Sequence, residues 1–475
     1  MIKLAAKFII FFLNICGCIA CSHTRTGQES YDFTYTRPPE TKDGWHTAGL
    51  SDVRLDSHKI NKLLFDIHKG EIKNIYAIMV AKDGLLVVDE YFNGANRTNI
   101  GLIASTTKSI VSLLLGIALD ENTSNKNVNT PLPYFLPAYS DRMQSNGKED
   151  ITLYHVLTMT AGLNWDEYTY PHPDARNPNT QMYSATDPVG FILDRDVQSH
   201  PGKRWNYNSG LSVLLGEVIR NLSGEYIDAF AEKHLFIPLQ FIRYQWGKHE
   251  NGTVWSNGDL YIRPRDLAKI GQLVLDNGKW NGQQIVSERW IRESTRPHIE
   301  AHYGLKYGYQ WWLGSARYAK RQLEVIFGSG TGGQKLFIIP EVDMVVVILS
   351  KVFDNKGGQN RATRILTDYV LPAAMPEIEH HDCGFDPTFA KAAVGKYINA
   401  ADGHLVRIII SGNSLYAKPT FFWSFELKPF TRNSFHGRWG PIGDVYIDFV
   451  ENDIGNVTAA DVHYLLGTMN FRKTN

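Results

Sequence analysis

The apolar helical run Ile110-Val111-Ser112-Leu113-Leu114-Leu115 follows directly on Ser105-Thr106-Thr107-Lys108-Ser109, which puts a hydroxyl and an amine three positions apart on the first turn. Residues at that spacing share a helical face, so the Lys108 amine can reach the Ser105 oxygen. Nucleophile and proton acceptor then come from one turn, the arrangement an activated serine needs to attack an acyl carbon. If Ser105 begins the helix, its own N–H is among the unpaired donors there, and the macrodipole favours negative charge beside it. One residue would attack and also help hold the oxyanion.

Two fixed positions make a loose pattern, and Ser145-Asn146-Gly147-Lys148 matches it as well. Asn-Gly marks a turn and Gly breaks helices, so that second pair is set aside. For the first pair the plain alternative is a helix-capping Ser105 beside a solvated Lys108. Other stretches of the chain decide between the two.

Trp205-Asn206-Tyr207-Asn208-Ser209-Gly210 is an aromatic and polar turn running into another apolar helix. Val325 to Pro340 reads as strand, glycine-rich turn, strand and proline, with Gly328-Ser329-Gly330 at its centre. Together with Ser105 and Lys108, these stretches resemble in order the three motifs of the β-lactamase-related serine hydrolases, which include class C β-lactamases, D-alanyl-D-alanine carboxypeptidases, family VIII esterases and 6-aminohexanoate-dimer hydrolase. Tyr207 matches the tyrosine of the second motif, whereas Asn208-Ser209 departs from the usual Ser-Asn and looks more like the dimer-hydrolase and esterase branch. The third motif has no Lys or His at its first position, which argues against carboxylate-bearing β-lactam or peptide substrates. Leu157-Thr158-Met159-Thr160-Ala161-Gly162-Leu163 and Arg263-Pro264-Arg265-Asp266-Leu267-Ala268-Lys269, the latter followed by Asn277-Gly278, also resemble family segments, so the likeness spans roughly residues 60 to 372.

The resemblance implies an α/β (α+β) fold, an antiparallel sheet assembled from both ends of that region and flanked by helices, with a mostly helical insertion at about 115–300. It implies Ser105, Lys108 and Tyr207 as catalytic residues, with no cofactor and no metal. Substrate would lie along Ser209, Gly328, Ser329, Gly330 and Thr331. The two glycines let the strand approach a ligand closely, and a backbone N–H near Thr331 is the second oxyanion donor.

Lys plus Arg equals Asp plus Glu, at 49 each in 475 residues, so there is no basic field to hold nucleic acid. With 43% hydrophobic and 12% aromatic residues the chain can build a globular core, and its length exceeds the roughly 250–300 residues at which one core stops growing. Residues 1–21 carry Lys3 and Lys7, the apolar run Phe8 to Leu13, and then Ile19-Ala20-Cys21 before Ser22. That reads as an export signal too short to span a membrane. Its end resembles a bacterial lipobox, with lipidation at Cys21 and attachment at the periplasmic face or envelope. Cys18 is a competing processing site, and plain secretion is the alternative. Residues 22–50 read as a tether. Cys383 is then the one cysteine of the body, so neither a disulfide framework nor a zinc cluster can be built. His380-His381-Asp382-Cys383 reads as a solvated connection.

Residues 51–378 form the expected hydrolase domain. Tyr76 to Ala81 and Leu85 to Phe92 are strands joined at Asp83-Gly84. Glu324 to Phe327, Lys335 to Ile339 and Met344 to Leu349 are further strands, and Gln359 to Leu371 is a helix. The aromatic, proline-containing loop Asn164 to Thr186 either lines an apolar pocket or is packed under a lid, and Trp311-Trp312 reads as core. Residues 385–475 change to short alternating strands with Gly, Asn and Asp turns. Phe389-Ala390-Lys391-Ala392-Ala393-Val394-Gly395-Lys396-Tyr397 resembles the start of the lipocalin-like β-barrel appended to members of this group. A barrel of that size is more often filled by side chains than hollow.

No G-x-S-x-G elbow supports a Ser-His-Asp triad, and no H-E-x-x-H supports a metal hydrolase. The expected partner is a small-molecule or peptide-like acyl substrate. A reading of a different class is a catalytically weak or inert penicillin-binding-like sensor, which the degenerate third motif motivates.

Overall fold

The computed structural model describes residues 35–318, 321–351, 357–375, 384–420, 424–439, 443–464 and 466–474. The expected leader with Cys21, the first part of the tether and the His380 to Cys383 cluster lie outside these residues. Among the described residues no helix is long and apolar enough to cross a membrane.

Ile75–Lys82 (β1) and Leu85–Tyr91 (β2) pair antiparallel across Asp83 and Gly84, whose φ angles of 53° and 76° are those of a tight hairpin turn. Far along the chain come Ile299–Glu300 (β3), Lys306–Tyr307 (β4), Trp312–Tyr318 (β5), Arg321–Gly330 (β6), Gln334–Ile339 (β7) and Met344–Ser350 (β8). All eight form one antiparallel sheet in the order β2-β1-β8-β7-β6-β5-β4-β3. The two ends of this region therefore meet at β1 and β8, where Val80 lies opposite Val346. The strands β3 to β5 carry no clean apolar alternation and were not expected from sequence.

Every residue of β7 and β8 is buried, because helices cover both faces of the sheet. Ser57–His68 (α1) and Gly357–Ile365 (α5) pack on one side, with Ile60, Leu63, Leu64, Ala362 and Ile365 against Phe337, Val346 and Ile348. Thr107–Glu121 (α2), Ser209–Ser223 (α3) and Pro264–Leu275 (α4) share the core on the other side. A helix apolar on all faces has to be central, and α2 is one: Ile110, Val111, Leu113, Leu114 and Leu115 are wholly buried. Each such side chain contributes about 1.5–3 kcal/mol of burial free energy, which pins the start of α2 against the sheet.

The chain ends in a closed barrel of Gly395–Asn399 (β9), Leu405–Ser411 (β10), Ser414–Pro419 (β11), Phe425–Pro429 (β12), Ser434–Trp439 (β13), Gly443–Glu451 (β14), Val457–Tyr464 (β15) and Gly467–Thr474 (β16). Strands β13 and β16 carry little apolar pattern of their own, since Gly437 interrupts the first and Asn470, Arg472, Lys473 and Thr474 surround Phe471 in the second. Leu415, Leu427, Phe435, Ile447, Phe449 and Phe471 fill the interior. The barrel is joined to the main sheet by Ser315 N–H donating to Leu466 O at 2.9 Å and by an Arg317–Asp448 ion pair at 2.5 Å.

Candidate active site

Ser105 lies in a single 3-10 turn, Ala104–Thr106, that runs straight into α2. That places Lys108 one turn on, with Nζ 3.0 Å from Ser105 Oγ. The amine also donates to the backbone carbonyl of Asn257 at 2.6 Å. Lys108 is 2% exposed, and burial pushes it down to about 8, against a smaller upward pull from the carboxylates of Glu167 and Asp259. An amine held there is substantially neutral at mildly alkaline pH and can accept a proton. The rival pair behaves as a turn: Asn146 and Gly147 both have positive φ, and Lys148 Nζ donates to Leu193 O at 2.7 Å.

Tyr207 joins this pair from the turn before α3. Its phenol neighbours the Ser105 hydroxyl, and the Lys108 amine lies 5.2 Å from its ring centroid. Burial, then the Glu167 charge, raises the phenol well above its ordinary value, while the neighbouring Ser105 hydroxyl opposes the shift. Tyr207 is thus kept protonated, with one hydroxyl to pass a proton along. The turn that carries it is held from behind by Met159, whose carbonyl accepts from Asn206 N–H at 2.9 Å and whose sulfur accepts from Asn208 N–H at 3.4 Å. The Leu157 to Leu163 segment serves this support. Gln310 adds to it, accepting from Ser212 Oγ at 2.6 Å through its side chain and from Ser109 Oγ at 2.9 Å through its carbonyl, so that α2 and α3 are tied together.

Ser209 sits 3% exposed, with its hydroxyl and its N–H each donating to Glu167 at 2.8 Å. Trp165 Nε1 donates to the same carboxylate at 2.6 Å. The structure thus directs Ser209 to Glu167, and aromatic rings form the wall of the site: Trp312 stacks on Tyr207 at 5.9 Å, and Trp205 and Tyr168 stand 6.1 and 5.9 Å from it. Of the Trp pair expected in the core, only Trp311 is wholly buried; Trp312 faces this wall. A cavity of about 460 Å³ opens beside it, lined by Trp165, Tyr168, Arg204, Asn206 and His302 among others.

The strand β6 passes close to the Ser105 turn. A Cβ at Gly328 would stand 2.7 Å from Thr106 Cγ2, and one at Gly330 would stand 2.4 Å from Ile103 O and 3.1 Å from Ala104 Cβ. Only glycine permits that approach. It brings the half-buried Thr331, first residue of the β6–β7 turn, to the edge of the Ser105 turn. The side chain of Ser329 alternates to the other face of the sheet, where its hydroxyl bonds Gln359 and Lys335.

The sequence matches the model of the family described as "Beta-lactamase" over residues 75–369. The chain belongs to the beta-lactamase family. Within it, the chain is similar to a 6-aminohexanoate-dimer hydrolase of Paenarthrobacter ureafaciens, 21% identical over 304 residues that cover 58% of this chain and 72% of that protein. Among solved structures it resembles an octameric penicillin-binding protein homologue from Pyrococcus abyssi, with TM-score 0.51 and 19% identity, covering 87% of this chain and 100% of that one. It also resembles EstCE1, a hydrolase with promiscuous acyltransferase activity, with TM-score 0.53 and 14% identity over 66% of this chain and 98% of that one. These structural likenesses establish the fold of the body, to which the closed barrel is appended.

For a beta-lactamase-family chain, sequence reasoning passed over Glu167, Asn257 and Asp259. Asn257-Gly258 is a turn signal, but nothing local says that the Asn257 carbonyl meets Lys108. Ala104 adds backbone strain next to the nucleophile: its φ of 47° lies in the left-handed region, which disfavours any residue but glycine by about 1–2 kcal/mol. Ala104→Gly is therefore expected to stabilise the fold by up to about 1 kcal/mol, and Ala104→Val to destabilise it by about 2 kcal/mol or more. Urea unfolding of both variants checks this, and a reversed order would refute the strain.

Proposed function

We propose that this protein is a serine hydrolase that opens an ester or amide bond through an acyl-enzyme on Ser105. The observation that carries the reading is the buried Lys108 amine 3.0 Å from the Ser105 hydroxyl, with the Tyr207 ring beside the amine. In its neutral form Lys108 accepts the Ser105 proton as Oγ bonds to the acyl carbon. The carbonyl oxygen takes the negative charge and is met by the N–H groups of Ser105 and Thr331. Collapse expels the leaving group, which receives its proton from the Lys108 ammonium directly or by way of Tyr207. Water then attacks the ester of Ser105, with neutral Lys108 taking its proton directly or by relay through the Tyr207 hydroxyl, and the acid product leaves.

The aromatic wall of Trp205, Tyr207 and Trp312 supports an apolar acyl or leaving group. A fluorophosphonate probe followed by mass spectrometry of the labelled peptide tests the reading. An adduct on Ser105, absent in Ser105→Ala and accompanied by turnover of short p-nitrophenyl esters, is the expected result. Neither adduct nor turnover would sink it and favour a penicillin-binding-like binder.

A further inference from the structure

The proposed chemistry does not use the buried amine of Lys335, which differs from the buried Lys269 in having no carboxylate beside it among the described residues. Lys335 on β7 is 5% exposed and sits opposite Ser329 of β6, with Nζ 5.0 and 5.9 Å from the ring centroids of Phe327 and Phe337. Among the described residues no carboxylate pairs with it, and burial alone pushes it down to about 7. A lysine in apolar surroundings without a counter-charge is costly, and a methionine of similar shape would fill the space without that cost. Its position therefore calls for a role beyond packing.

The hydrogen bonds around it run in one direction. Lys335 Nζ donates to Ser329 Oγ at 2.8 Å. The Gly330 carbonyl can only accept, so Gln359 Nε2 faces it and Oε1 faces Ser329; the Ser329 proton therefore goes to Gln359 Oε1 at 3.1 Å, and its oxygen accepts from Lys335. The Gln359 amide is so fixed in one orientation, and Nε2 donates to the Gly330 carbonyl at 2.6 Å. That carbonyl also accepts from Gly333 N–H at 3.2 Å. Gly330 C=O and Thr331 N–H belong to one peptide unit, so donors to the oxygen polarise the unit and leave its N–H a stronger donor.

We propose that Lys335 is a positioning residue that acts through Ser329 and Gln359 to orient and polarise the Thr331 amide for the oxyanion formed at Ser105. The inference rests on the acyl-enzyme reading given above. Lys335 meets no substrate, since Ser329 and the amine lie on the face of the sheet turned away from the Ser105 turn. The side chain missing from the third motif is thus answered by an amine that works through the backbone.

The test uses the full chain and two readouts: the rate of fluorophosphonate labelling of Ser105, and hydrolysis of a p-nitrophenyl ester. Lys335→Met is expected to slow both by about tenfold through kcat with KM unchanged, short of the roughly 10²–10³ lost when an oxyanion donor is removed outright. An aryl boronic acid, which forms a tetrahedral adduct on the serine, should lose affinity by the same factor. Gln359→Leu should match these losses, and the double variant should lose no more than either single one. Wild-type rates in Lys335→Met, or multiplying losses in the double variant, would overturn the relay while leaving the Ser105 reading intact. Absence of any adduct on wild-type Ser105 would instead remove both.

Discussion

Lys108→Met should lower ester turnover by about 10⁴ and, at pH 7, leave a protein more stable than the parent. The first effect follows from removing the general base and proton donor together, at the upper end of what such a group contributes. The second comes from the same burial that activates the amine, which lowers it from 10.5 to about 8. At 1.36 kcal/mol per unit, keeping the ammonium in the folded state costs on the order of 3 kcal/mol at neutral pH. Methionine gives up the bond to Asn257 O, worth about 1 kcal/mol, so a net gain of about 1–2 kcal/mol is expected. The sign with pH is fixed. Between about 8 and 10.5 the unfolded chain holds a proton that the folded chain has released, so parent stability rises with pH across that window. The advantage of Lys108→Met should fade over the same range. The rate reports the same ionisation: kcat/KM rises with pH and levels off above about 8. Denaturant unfolding at pH 7 and pH 10, with a pH–rate profile, checks all three. A variant destabilised at both pH values, or a rate independent of pH from 6 to 9, would show that Lys108 is not a desolvated base.

The Ser105–Lys108 pair was readable because helical spacing is a local rule and the apolar run after it can only be a buried helix. Tyr207 was found through its motif, and the beta-lactamase-family fold came with it. What escaped were groups whose role exists only after distant segments meet. Glu167 lies in a loop that looked merely aromatic, yet its carboxylate takes the hydroxyl of Ser209, a residue expected on the substrate side. Lys335 opens the expected strand Lys335 to Ile339, and no pattern along the chain says that its amine faces Ser329 across a ladder. The strands β3 to β5 were missed for a related reason: Trp312 to Tyr318 pairs with β6 along its whole length, and that pairing, absent from local alternation, makes it a strand.

Arg265→Met should destabilise the fold by about 3–5 kcal/mol, the loss expected when one member of a buried ionic network is removed and its partners are left charged. Arg265 is wholly buried at the start of α4. It donates to Asp43 at 2.7 and 2.9 Å, to Asp89 of β2 at 2.8 Å and to Thr41 at 2.9 Å. It therefore fastens the N-terminal segment and the edge of the sheet to α4. In the same motif Arg263 and Lys269 both bind Asp266, at 2.7 and 2.8 Å, so the resemblance at Arg263 to Lys269 reflects an ion network that holds the body together. Burial by itself would raise the Asp43 carboxyl, but the bonds from Arg265 and Thr41 hold it well below the usual carboxylate range. In the parent, that stabilisation is present above about pH 4 and lost as acid protonates Asp43. Without Arg265 the sign reverses. The buried carboxyl rises above its unfolded value, the folded state binds the extra proton, and acidification from pH 7 to 5 should narrow the gap to the parent. Adding Asp43→Asn to Arg265→Met should recover at least half of the loss, because Asp89 keeps the Arg97 guanidinium at 2.6 Å and Asp43 no longer carries a charge. A loss below 1 kcal/mol, or one that does not change with pH, would mean that the network is solvated and that the N-terminal segment is held by its apolar contacts alone.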